Sequence, residues 1–148
     1  MPMIDVTFPS GVVESAATAR LQEELATTLL RWEGAPDTEF FREITWVYLH
    51  EVARGSLAVG GRPGGAPRFR VEVTVPEGAL SQRRKDGLVA DVHAAVAQAA
   101  GLDPQGSQAL HVWTLIREVP EGNWAAGGQT IRFADLKKAS ETERGAAS

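Results

Sequence analysis

The chain has 148 residues, the size of one ordinary domain that can bury its own core without staples. It contains no cysteine, which excludes disulfides, thiolate metal sites and a cysteine nucleophile, and its formal charge of −4 offers no footprint for a nucleic-acid backbone. With no basic-plus-apolar leader and no eighteen-residue apolar run, a soluble, cytoplasmic protein with no membrane partner is expected.

The first predicted element starts just behind the initiator methionine. Ile4, Val6 and Phe8 alternate with Met3, Asp5 and Thr7, the period of a half-buried strand, and Pro9-Ser10-Gly11 ends it. Leu21, Leu25, Leu29 and Trp32 then recur at helical spacing, with Gly34 as the stop before Pro36. Residues Ile44 to Val52 are rich in β-branched and aromatic side chains and predict a long strand. The glycine-rich GRPGG at 61 to 65 lacks the strand-loop-helix setting of a phosphate cradle and reads as a linker.

The same order then repeats. A 67-residue shift carries Trp46, Glu51, Val52 and Gly55 onto Trp113, Glu118, Val119 and Gly122, and Gly60-Gly61 onto Gly127-Gly128. It also carries Val6, Thr7, Pro9 and Gly11 onto Val73, Thr74, Pro76 and Gly78, and Leu21 and Gly34 onto Leu88 and Gly101. One register over so long a span indicates a tandem duplication, with repeats 1–67 and 68–137 in a single domain. In the second unit Ser81 is the expected N-cap, Leu88, Val92, Val96 and Ala99 form the apolar helix stripe, and Leu110 to Val119 the long strand. A short hairpin is expected near Thr130 to Phe133, and the run Gln82-Arg83-Arg84-Lys85-Asp86 reads as a solvated helix start. Residues 138–148 are small and polar and are expected to form a flexible tail.

Two right-handed β-α-β units predict an α+β fold: a four-stranded mixed sheet with two helices on one face. The other face would be bare without a partner subunit, so oligomerisation is expected.

A β-α-β unit that begins with Pro behind Met and ends with the Glu, Gly and Gly-Gly pattern, present twice, resembles the tautomerase superfamily. This is the group of 4-oxalocrotonate tautomerase and macrophage migration inhibitory factor, here in the fused form that also includes dehalogenases and decarboxylases. The resemblance spans residues 2 to 135 and implies a homotrimer in which six units form a barrel-like assembly with helices outside. It further implies a cofactor-free enzyme whose catalytic group is the amino-terminal proline, acting on a small carbonyl or carboxylate compound. Pro2 is the one position here that fits, because its counterpart in the second unit is Phe69, inside the chain.

Removal of Met1, usual before proline, would expose a secondary amine at Pro2. Such an amine titrates near ~8 when unperturbed, and burial lowers it. Neutral, it is a general base for keto-enol tautomerisation; cationic, it is the general acid of the dehalogenase and decarboxylase branches. A binding or scaffold protein on the same fold is the third reading, because arginines that clamp carboxylates in the family are replaced here by Val12, Ala79, Trp46 and Trp113. Strand alternation places Trp113 with Arg117, and Tyr48 with His50, on the faces that hold the family's arginine position. Arg117 and His50 are therefore expected to bind a carboxylate or polarise a carbonyl, and Trp113, Tyr48 and Trp124 to supply aromatic walls. Trp124 matches the family's pocket aromatic.

Overall fold

The computed structural model describes residues 1–147. Strand β1 (Met3–Pro9) leads through a turn into helix α1 (Ser15–Glu33), a short helix α2 (Glu39–Glu43) and strand β2 (Trp46–Val52). A two-residue hairpin, β3 (Ala58–Val59) with β4 (Arg62–Pro63), precedes β5 (Phe69–Pro76), α3 (Gln82–Ala99) and β6 (Val112–Val119). A second hairpin, β7 (Ala125–Ala126) with β8 (Gln129–Thr130), is followed by helix α4 (Phe133–Ala146).

The four long strands form one mixed sheet in the order β2-β1-β5-β6. Each unit contributes a parallel pair, β1 with β2 and β5 with β6, as a helical crossover requires. The units join by antiparallel pairing of β1 with β5, which brings Met3 opposite Thr74 and Thr7 opposite Arg70.

The core follows from the two periodicities. Ile4, Val6 and Phe8 from β1 and Val71, Val73 and Val75 from β5 are buried against Leu21, Leu25 and Leu29 of α1 and Leu88, Val92 and Val96 of α3. The helices meet at Gly87, where the Trp32 indole lies so close that a Cβ would stand 2.1 Å from it. Asp91 fixes that ring by accepting its N–H at 2.7 Å.

The duplication extends to single hydrogen bonds. Ser10 N–H donates to Val52 at 2.8 Å and Glu77 N–H to Val119 at 2.9 Å; the indoles of Trp46 and Trp113 donate to Glu43 and Leu110 at 2.9 and 3.0 Å. Gly60-Gly61 and Gly127-Gly128 all have positive φ, the backbone that two-residue hairpins demand.

Three expectations change. The GRPGG stretch contributes Arg62 and Pro63 to a hairpin, so the first unit has the same terminal ornament as the second. The second hairpin pairs residues 125–126 with 129–130, and Phe133 starts a helix instead. The expected tail 138–148 is helical as far as Ala146, its last residue, Ser148, lying outside the described residues. Polarity suggested disorder, but Ala, Lys, Glu and Leu are good helix formers, and Phe133 and Leu136 give this helix an apolar edge to dock.

Candidate active site

Pro2 is buried at the mouth of β1, and its carbonyl accepts the Trp46 N–H at 3.2 Å, locking the chain start to β2. Beside it is a cavity of about 340 Å³ into which Met1 projects. Its other walls come from elements far apart in sequence: Glu33 and Gly34 at the end of α1, Phe41 of α2, Pro76 at the end of β5, Arg84 of α3, and Phe133 and Leu136 of α4.

Local chemistry explains how these groups converge. Gly34, with φ +70°, ends α1 in a left-handed cap and leaves carbonyls at the helix's negative pole. The Arg84 guanidinium donates to the Glu33 carbonyl at 3.3 Å, and Arg144 of α4 donates to the Gly34 carbonyl. Phe41 is set by the Thr38 cap, whose hydroxyl accepts the Phe41 N–H at 3.4 Å. The guanidiniums of Arg84 and Arg144, the Lys137 ammonium, the phenyl rings of Phe41 and Phe133 and the carboxylates of Glu33 and Glu141 thus meet around the chain terminus.

Electrostatics there are dominated by burial. It pushes the Met1 amine below its ordinary range, the nearby Glu33 carboxylate opposing the shift, and pushes the Glu33 carboxyl up, the amine opposing in turn. Each group partly sustains the charge of the other.

The residues expected at the site are distributed across the sheet. On the open face the register makes three rows: Trp46-Met3-Thr74-Arg117, Tyr48-Asp5-Glu72-Leu115 and His50-Thr7-Arg70-Trp113. Arg117 therefore sits at the Pro2 end, in the same row as Met3, and donates to Glu72 at 2.9 Å. His50 and Trp113 lie at the opposite end, four residues or about 13 Å away along the strands. From that end the His50 ring reaches back to the middle row, 2.6 Å from Asp5 and stacked on Tyr48 with ring centroids 5.8 Å apart. Trp124 lies behind α4 in a narrow crevice whose walls Pro76, Phe133 and Leu136 also line the cavity. Within one chain the structure thus brings Arg117 and Trp124 to the Pro2 end and leaves His50, Tyr48 and Trp113 away from it, because alternation fixes a face but not a position along it.

Sequence reasoning missed Arg84, Glu33, Phe41, Phe133 and Leu136. Arg84 was hidden in a charged run that reads as a solvated face; the only pointer was that it falls one turn after the Ser81 cap, beside the end of β5. Among the described residues no helix is long and apolar enough to cross a membrane.

Known proteins agree with this architecture. Residues 70–134, the second unit, match the family model described as tautomerase enzyme. A member of the cis-3-chloroacrylic acid dehalogenase family superposes with TM-score 0.74 at 20% identity, covering 93% of this chain and 88% of that one. A native fused 4-OT gives 0.72 at 23% identity, covering 86% and 94%, and a macrophage migration inhibitory factor-like protein from Entamoeba histolytica gives 0.66 at 14%, covering 88% and 98%. None of the curated proteins matches the chain in sequence. The family match falls on the second unit, and the chain as a whole has the fold of these fused two-unit proteins.

Proposed function

We propose that the protein is a cofactor-independent keto-enol tautomerase in which the Pro2 amine, freed by removal of Met1, is the acid/base group. The observation that carries this reading is that Met1 forms part of the wall of a cavity at the start of β1, so its removal would leave the Pro2 nitrogen facing that space. Burial that lowers an amine here favours the neutral base. The amine takes the enol hydroxyl proton, the electron pair of that O–H forms the carbonyl, and the enol carbon takes a proton back from the ammonium. Phe41 and Phe133 exclude water, and Arg84, with Arg117 at the same sheet end, supplies the cation for a substrate carboxylate.

The open face carries Trp46, Tyr48, Trp113 and Leu115, exposed by 41 to 70%, a patch that calls for a partner. Fused 4-OT relatives are trimers, and a homotrimer covering this face is the assembly we propose.

Mass spectrometry should find the chain starting at Pro2, and phenylenolpyruvate should be ketonised. General acid/base catalysis is worth about 10²–10⁴, so blocking the amine by one extra residue should cost at least ~100-fold in kcat. Equal rates with the blocked chain would remove Pro2 from the mechanism. Glu33 favours the alternative of a cationic general acid, as in hydrolytic dehalogenation or decarboxylation; titration of the Pro2 amine decides, since a value well below neutrality is incompatible with it.

A further inference from the structure

The duplication implies a second cavity, and the structure has one. At the start of β5, the position equivalent to the start of β1, a cavity of about 520 Å³ is lined by Arg68, Phe69, Pro9, Val52 and Leu57. Under the 67-residue shift these correspond to Met1, Pro2, Pro76, Val119 and Trp124. Its chemistry differs from that of the Pro2 cavity in one decisive respect: the Phe69 nitrogen is an internal amide, so no amine can transfer a proton there.

The cavity is cationic without a counter-charge of its own. Arg68, Arg70 and His111 line it, and no carboxylate does among the described residues. Arg68 donates to His111 Nδ1 at 3.0 Å and to the Ala66 carbonyl at 2.7 Å. A guanidinium can only donate, so Nδ1 accepts and the ring keeps its proton on Nε2, a third donor. The Arg70 Nε stands 4.0 Å from Glu72, beyond hydrogen-bond reach, and its side chain is 60% exposed. A held guanidinium at Arg68 and a loosely paired one at Arg70, beside an apolar wall of Leu57, Val59, Phe69 and Trp113, are best satisfied by an anion that carries an apolar body.

We propose that this cavity is a second, non-catalytic binding site for a small amphiphilic carboxylate, the carboxylate meeting Arg68 and Arg70 and the apolar body lying against Phe69 and Trp113. This site stands whether or not Pro2 is catalytic.

The test uses the full chain and 3-phenylpropionate, a carboxylate with no carbonyl to enolise, titrated by calorimetry and by Trp113 fluorescence. Arg70→Ala and the milder Arg68→Lys should each weaken an observed binding event by roughly tenfold, the loss of a charge-assisted hydrogen bond. Arg84→Ala should leave that event in place, and 3-phenylpropan-1-ol should bind at least about tenfold more weakly than the acid. Circular dichroism of the Arg70→Ala variant should match wild type. No binding at millimolar probe, binding indifferent to both Arg70→Ala and Arg68→Lys, or binding abolished by Arg84→Ala would each overturn the proposal.

Discussion

His50 and Asp5 are diagonal neighbours on adjacent parallel strands, with Nε2 2.6 Å from Oδ1, and the 67-residue shift turns this pair into Arg117 and Glu72 at 2.9 Å. The duplication has kept the geometry of a base-acid pair while exchanging both residue types. In the isolated chain both pairs are half open to water, the basic partners 47% and 63% exposed. Double-mutant cycles in urea with Asp5→Asn and His50→Gln, and with Glu72→Gln and Arg117→Met, should give couplings of about 0.2–1 kcal/mol that shrink with salt. Couplings of several kcal/mol would mean that the face is dry, as it would be inside an assembly that survives those conditions.

Gly87 should be intolerant of alanine. In an exposed helix interior Gly→Ala stabilises by about 0.8–1 kcal/mol through backbone entropy. Here the new methyl would stand 2.1 Å from the Trp32 indole, which packs on Gly87 and is hydrogen-bonded to Asp91. Overpacking of about 1–3 kcal/mol outweighs the propensity gain, so Gly87→Ala should lower the urea midpoint and perturb Trp32 emission. A raised midpoint would show that the indole swings away freely.

The fold was legible because both periodicities are clean in both copies. Leu21, Leu25 and Leu29, and Leu88, Val92 and Val96, are the buried stripes that their spacing predicts, and Ser81 accepts the Arg84 N–H at 3.3 Å as its cap position requires. The candidate site was legible only in part. Alternation shows that Trp113 and Arg117 share a face, but where each row ends depends on the antiparallel register of β1 with β5, which no local pattern encodes. Arg84 and Phe133 reach the start of β1 through tertiary packing of α3 and α4, invisible to any motif.

Glu33 should make stability fall as pH rises. Burial raises its folded-state pKa above the value near 4.5 of the unfolded chain, so the folded state binds the proton more tightly. That contribution is complete below pH 4.5 and is lost as pH climbs through the raised folded value. Glu33→Gln, which cannot ionise, should therefore gain stability relative to wild type on going from pH 4 to pH 8. Urea midpoints of both proteins at the two pH values measure it; parallel shifts would show that the carboxyl is solvated. In a chain that retains Met1, the same change removes the charge that opposes deprotonation of the Met1 amine, so that amine should titrate lower.

Removing α4 should damage the site more than the fold. None of its residues is fully buried, yet Phe133 and Leu136 wall both the Pro2 cavity and the Trp124 crevice, and Arg144 reaches the Gly34 carbonyl. A chain ending at Arg132 keeps the whole sheet, both core helices and every member of the main apolar core. Two half-buried apolar side chains account for about 2–3 kcal/mol of lost burial, a shift in urea midpoint that leaves the cooperative transition intact. The cavity, in contrast, loses a wall, admits water and releases its hold on the substrate's apolar part, so KM for an aryl enol should rise at least about tenfold. If the truncated chain turned over such substrates with unchanged KM, α4 would be a bystander and the binding wall would have to come from a neighbouring subunit.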